Sequence, residues 1–186
     1  EIFDAIRDRR AVRAFTGDAV DQPHIHRLIE AAVAAPSAVN EQPWAFVVLR
    51  GRPLLAKVAD QARRYLLESI SDDSPMARFR EHAADPGFDM FYGAPALILG
   101  CATGDEPFAT EDCALAAENL MLTARALDLG TCWIGLARPW FGQAECKKEL
   151  GIELHYRPVA PIVVGRPAAW PVAPVRRAPE IHWVGP

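Results

Sequence analysis

The stretch from Thr110 to about Asp128 constrains the fold more than any other part of the chain. Ala114, Leu115, Ala117, Leu120, Met121, Ala124 and Leu127 recur at helical spacing and are apolar around much of the circumference. A helix of that kind is buried in a core or in a subunit interface, and Gly130 is placed to stop it. A second helix opens at Asp21-Gln22-Pro23, where Asp can cap and Pro fits the first turn. Its Ile25, Leu28, Ile29, Ala32 and Val33 form one stripe, and Pro36 limits it by keeping the preceding residue out of the helical region.

Weaker helical spacing runs from Ile2 to Arg9, Leu54 to Leu67 and Gln143 to Leu150. Trp44 to Leu49 reads as a strand, and so do Thr131 to Gly135 and Val159 to Val164. Ala96 to Ala102, after Pro95, is an unbroken apolar run that suits a strand covered on both faces. Residues 71 to 92 mix Asp72, Asp73, Pro75, Asp85 and Pro86 with apolar residues, which predicts an irregular insertion with one short helix. After Gly165, Pro167, Pro171, Pro174 and Pro179 exclude a helix or a central strand. The chain therefore divides into a domain, residues 1 to 165, and an extended arm, residues 166 to 186. Helices and strands mix without strict alternation, which favours an α+β fold over a doubly wound sheet.

At 186 residues, 51% hydrophobic and 24% charged, the chain has an ordinary soluble balance. The net charge of −4 weighs against a nucleic-acid binder, since phosphate neutralisation needs a basic surplus. No apolar run is long enough to span a membrane, and no signal-like segment opens the sequence. The four cysteines, Cys101, Cys113, Cys132 and Cys146, lack metal or redox spacing and read as buried thiols of a cytoplasmic protein. His24 and His26 read as surface residues, and His155 and His182 have no partners at ligand spacing, so no metal is expected.

Two clusters carry chemistry. Arg9, Arg10 and Arg13 follow the first helix; alone, such a group is most simply a solvated basic face, while three guanidiniums also suit a phosphate. No GxGxxG or GxxxxGK[ST] is present. The loop Pro36-Ser37-Ala38-Val39-Asn40-Glu41-Gln42-Pro43-Trp44 is equally compatible with an ordinary polar turn. Its Asn40 and Gln42 each carry a donor and an acceptor, matching the alternating edge of a flavin pyrimidine.

In this order and spacing the two clusters resemble the nitroreductase family of FMN-dependent enzymes. The likeness continues through Gly93-Ala94-Pro95, Asp112 to Leu120, Gly130-Thr131-Cys132-Trp133-Ile134-Gly135 and Val163-Val164-Gly165-Arg166-Pro167. Residues 71 to 92 are least covered, and many relatives carry Ser where Ala11 stands.

The resemblance implies a mostly antiparallel sheet flanked by helices, in a homodimer that exchanges its C-terminal arms and shares its active sites. It implies that Arg9, Arg10, Ala11 and Arg13 hold the FMN phosphate and ribityl chain. Pro36, Ser37 and Ala38 would come from the partner subunit to line the flavin ring, with Asn40 and Gln42 hydrogen-bonded to the flavin or its ribityl hydroxyls. Backbone groups of Ile134 and Gly135 would approach the ring, and Arg177, with its neighbour Arg176, would return along the arm to the phosphate. The implied reaction takes hydride from NADH or NADPH and reduces a small electron-poor acceptor, a nitroaromatic or quinone, by a ping-pong cycle without a catalytic side chain. Specialised family chemistries (reductive dehalogenation, peptide or azoline oxidation, flavin breakdown) and a non-catalytic flavin-binding module stay open at this stage.

Overall fold

The apolar run becomes the spine of the sheet. In the computed structural model, which describes residues 2–185, Ala96–Ala102 forms strand β2 with every residue buried. It pairs on one side with β1 (Trp44–Arg50) and on the other with β4 (Arg157–Gly165), which pairs in turn with β3 (Gly130–Trp133). The order is β1-β2-β4-β3 and every pairing is antiparallel.

The period of two in β2 divides the core. Ala96, Ile98 and Ala102 face a layer made by α2 (Gln22–Val33) and α5 (Ala109–Ala126), where they meet Ile25, Leu28 and Leu120. Leu97, Leu99 and Cys101 face the opposite layer, with Leu55, Val58 and Ala62 of α3 (Arg52–Ser69) and Phe141. The fold is therefore α+β, with helices on both faces of an antiparallel sheet. The seven helices of the described residues include α1 (Ile2–Asp8), α4 (Arg80–Ala84), α6 (Arg138–Phe141) and α7 (Ala144–Leu150). Helix α5 is a core helix against α2 and the sheet; Leu115 is the large apolar residue it leaves open, at 47% exposure.

The 71–92 segment holds one short α-helix, α4, entered from a 3-10 turn, Ala77–Phe79, within otherwise irregular chain. Two elements depart from the sequence-based expectation. Strand β3 stops at Trp133, so Ile134 and Gly135 lie beyond it; Ile134 turns the chain (ψ 72°) into a 3-10 turn and then α6, whose first turn takes Pro139. Strand β4 starts at Arg157 and carries Pro158 and Pro161 although it lies between two neighbours. Pro158 sits at a bulge, where the register with β2 shifts between Gly100 and Cys101. A strand residue's N–H and C=O point to the same neighbour. The Pro161 carbonyl accepts from the Ile134 N–H at 2.7 Å, so the missing N–H falls just past the last β3 pair, Trp133 with Ile162.

Between α1 and α2 the chain covers the free edge of β3. The Val12 N–H donates to the Thr131 carbonyl at 2.9 Å, the Thr16 N–H to the Arg166 carbonyl, and the Ala168 N–H to the Ala14 carbonyl. The arm thus begins on its own chain: Phe15 bridges to Pro167, and the Trp170 ring lies 4.2 Å from the Arg125 guanidinium carbon. Farther on, Val172 and Val175 are almost wholly exposed.

The four cysteines are buried and unpaired. Burial pushes the Cys101 and Cys146 thiols up to about 12 and Cys113 to about 11, and raises Cys132 as well. His24 and His26 lie on the surface at the start of α2, where the Asp21 carboxylate accepts the His24 N–H. Among the described residues no helix is long and apolar enough to cross a membrane, and no group of His, Cys, Asp and Glu could hold a metal ion.

Candidate functional site

Helix α1 ends at Asp8, and the extended segment after it carries the arginines along the β3 edge. Arg9 reaches Glu118 of α5 at 3.4 Å. The Arg10 guanidinium folds back, one terminal N–H group donating to the Arg7 and Arg9 carbonyls at 2.7 and 2.8 Å, while its Nε is buried with no partner among the described residues. Together with Ala11 and Arg13 these residues line a cavity of about 320 Å³, closed on the far side by Pro171, Pro174 and Arg176 of the arm. The arm brings Arg176 to this cavity; Arg177 is not among its lining residues.

Arg13 also lines a second, larger cavity of about 770 Å³. One wall comes from the 71–92 segment: Met76, Phe79, His82, Phe88, Met90 and Tyr92. His82 lies 4.3 Å from Phe88, Phe88 meets Tyr92 edge-on at 6.1 Å, and the Arg13 guanidinium stands 6.0 Å from the Tyr92 ring. Tyr92 has φ of +56°, a left-handed conformation that costs a bulky residue energy and is common where a site imposes it. Burial raises its phenol above the ordinary value, with Arg13 opposing.

The facing wall is the turn out of β3, with Trp133, Ile134, Gly135 and Leu136, extended by Arg138 and Pro139. Ile134 commits its N–H to Pro161. Gly135 has nothing within 4 Å of where a Cβ would project, leaving its backbone open to a ligand.

The Pro36–Gln42 loop lies elsewhere on the chain. Pro36, Ser37 and Ala38 line a third cavity, of about 340 Å³, with Phe108, Asp112 and Leu115 of the α5 region, and none of them lines either arginine cavity. The loop is held from below: the buried Asp112 carboxylate accepts the Ala38 N–H at 3.1 Å, and Ser37 Oγ accepts the Gln42 N–H at 3.0 Å. Val39, Asn40 and Gln42 all have positive φ, at 44°, 60° and 52°. That is a strained arrangement for residues other than glycine, and it presents the Asn40 and Gln42 side chains at the surface.

Within one chain the structure therefore brings Arg9, Arg10, Ala11, Arg13 and Arg176 together and joins them through Arg13 to Ile134 and Gly135. It leaves Pro36, Ser37, Ala38, Asn40 and Gln42 on a separate face. Sequence reasoning missed the aromatic wall of residues 76 to 92, the supporting carboxylate Asp112, and Arg138. An acidic residue in the first turn of a buried helix was the available signal for Asp112.

The sequence matches the family profile described as the nitroreductase family over residues 6–166, and the chain belongs to that family. It is 33% identical over 165 residues to the 4-nitrobenzoate reductase of Pseudomonas putida, covering 70% of each chain. To the FMN reductase [NAD(P)H] of Bacillus subtilis it is 24% identical over 177 residues, covering 90% of this chain and 66% of that one. A nitroreductase with bound FMN from Bacteroides fragilis superposes on the whole chain and on 99% of its own, with a TM-score of 0.85 at 23% identity, which establishes the shared fold.

Proposed function

We propose that this chain is an FMN-dependent oxidoreductase that takes hydride from NADH or NADPH and reduces a small electron-poor acceptor, a nitroaromatic or a quinone. The observation that carries the reading is the position of Arg13, which belongs at once to the cationic cavity and to the large aromatic one. A ligand with a phosphate at one end and a flat ring system at the other matches that pair. The buried Arg10 Nε without a partner supports the fit, because a buried donor of that kind normally has an acceptor. The larger cavity lies within the range of roughly 300–1,000 Å³ typical of cofactor sites. The names of the Bacillus and Pseudomonas relatives and the FMN in the Bacteroides structure point the same way.

Arg9, Arg10 and Arg13, with Arg176 closing from the arm, would hold the phosphate by charge-assisted hydrogen bonds. Ala11 has no hydroxyl to add, so only its backbone serves there. Gly135 would let a ring approach the β3 turn closely, and its N–H would donate to a ring acceptor. When bound, FMN supplies the two-electron chemistry, accepting hydride from the nicotinamide and passing electrons to the acceptor. This chain's residues bind, orient and exclude water, and none is assigned as acid, base or nucleophile. Donor and acceptor would use the same large cavity in turn, which gives ping-pong kinetics.

The Pro36–Gln42 loop fits the reading through a homodimer. Its distance from the arginines within one chain, its strained exposed amides, and the bare Val172 and Val175 of the arm are explained together if each subunit completes its partner's site. The decisive experiment measures NADH and NADPH oxidation by purified protein with and without menadione, after identifying released flavin by chromatography. Stimulated turnover with FMN released is the expected result. A yellow protein with no stimulation by either coenzyme would leave only a flavin-binding module, and a protein that neither carries nor takes up FMN would overturn the reading.

A further inference from the structure

The charge of the large cavity is lopsided. The chain as a whole carries a net −4, yet among the described residues no Asp or Glu lines this cavity, while Arg13, Arg138 and His82 all do. Arg13 is bound up with Tyr92 and with the cationic cavity. Arg138 is different: it is exposed, and among the described residues its guanidinium makes no ion pair and no hydrogen bond. It projects from the start of α6, immediately after the Gly135–Ala137 turn, so its backbone is anchored while its side chain is uncommitted.

The rest of the lining is uncharged, rich in aromatic and thioether side chains with Ile134 and Leu136 among them. His82, Phe88 and Tyr92 touch one another in a row by tilted and edge-on ring contacts, and Trp133, Phe79, Met76 and Met90 line the same cavity. Such a surface favours a flat ring. A guanidinium without a counter-ion at the edge of a cavity that excludes carboxylates favours an anion, and Arg matches a carboxylate's two oxygens with parallel N–H donors.

We propose that the acceptor taken by this cavity is an aromatic carrying an anionic group, such as a carboxylate, and that Arg138 is the residue that recognises the anion. The inference rests on the flavin reading above for what happens to the acceptor, but not for the binding. The reacting ring would lie in the aromatic part of the cavity, with its charge held at Arg138, so that one end of the molecule is fixed while the other is presented for reduction. Arg138 is thus a specificity residue and takes no part in proton or electron transfer.

The test uses purified protein, with its flavin content read first from the visible spectrum, and a matched pair of probes that differ in charge: 4-nitrobenzoate and 4-nitrobenzamide. Calorimetric titration without nicotinamide is expected to give at least ~10-fold tighter binding of the benzoate, a preference that shrinks as salt rises. Arg138→Gln should reduce the ratio to within about twofold of one, and Arg138→Lys should retain part of it, because it keeps the charge and loses the fork. Steady-state kinetics should show the same change in the acceptor's KM. Equal affinities in the wild type, or a preference that survives Arg138→Gln, would overturn the proposal. So would a loss confined to the KM for NADH or NADPH, which would mean that Arg138 recognises the phosphates of the donor. Protein that binds no flavin yet prefers the benzoate would sink the flavin reading alone; yellow protein with equal affinities would sink this one alone.

Discussion

Val12 is fully buried against β3, and a Cβ on Gly130 would stand 2.7 Å from its side chain. Gly130→Ala therefore has to displace the segment that carries Arg10 and Arg13, and overpacking of this kind costs typically about 1–3 kcal/mol. Urea denaturation of the variant should show that loss, with weaker FMN uptake beside it; unchanged stability would mean that the segment gives way freely. Arg10→Ala removes a cation whose guanidinium is already oriented by the Arg7 and Arg9 carbonyls. We expect FMN affinity to fall by about 1.5–3 kcal/mol, the scale of one hydrogen bond to a charged group. An unaltered dissociation constant would remove Arg10 from the site. At this scale the sequence displayed the cations but not their setting. Three arginines in five residues have the same composition whether they face solvent or a cavity, and the buried Arg10 Nε depends on contacts that only the fold creates.

Elements were legible in proportion to how far local pattern decides them. The stripe of α2, the circumference of α5 and the unbroken run of β2 each name their own burial, and each lies where its periodicity put it. The wall from Met76 to Tyr92 does not, because its aromatic residues alternate irregularly with Asp, Arg and Pro and converge only across the cavity. Pro158 hid the start of β4, since a bulge absorbs its missing donor. The Pro36–Gln42 loop was recognisable as polar, but its strain and its support were not. Asp112→Ala would leave the Ala38 N–H without its charged acceptor, at a cost of about 1.5–3 kcal/mol. Limited proteolysis should then cut near residues 36–42 faster than in the parent; equal cutting rates would show that Asp112 does not hold the loop.

At the scale of the whole molecule, burial of four thiols makes stability fall at alkaline pH. Folded Cys101 and Cys146 keep their protons up to about 12, whereas in the unfolded chain they lose them near the ordinary 9.0. Between those values the folded state holds more protons than the unfolded one, so stability is full below about pH 9 and declines as the pH rises toward 12. Urea midpoints across pH 8 to 11 should show that decline, with a shallower slope for Cys101→Ala; identical slopes would exonerate the thiol. For the assembly, sedimentation of the yellow protein should give a dimer, and a monomer that keeps its flavin would contradict a shared site.

In the proposed site the arginine segment anchors a flavin by its phosphate. FMN and riboflavin differ only in that phosphate, so equilibrium titration of flavin-stripped protein with each isolates its contribution. FMN should bind at least ~10-fold more tightly, by the affinity expected of a charge-assisted contact, and Arg10→Ala should narrow the gap. Equal affinity for the two flavins, or uptake of neither, would contradict it.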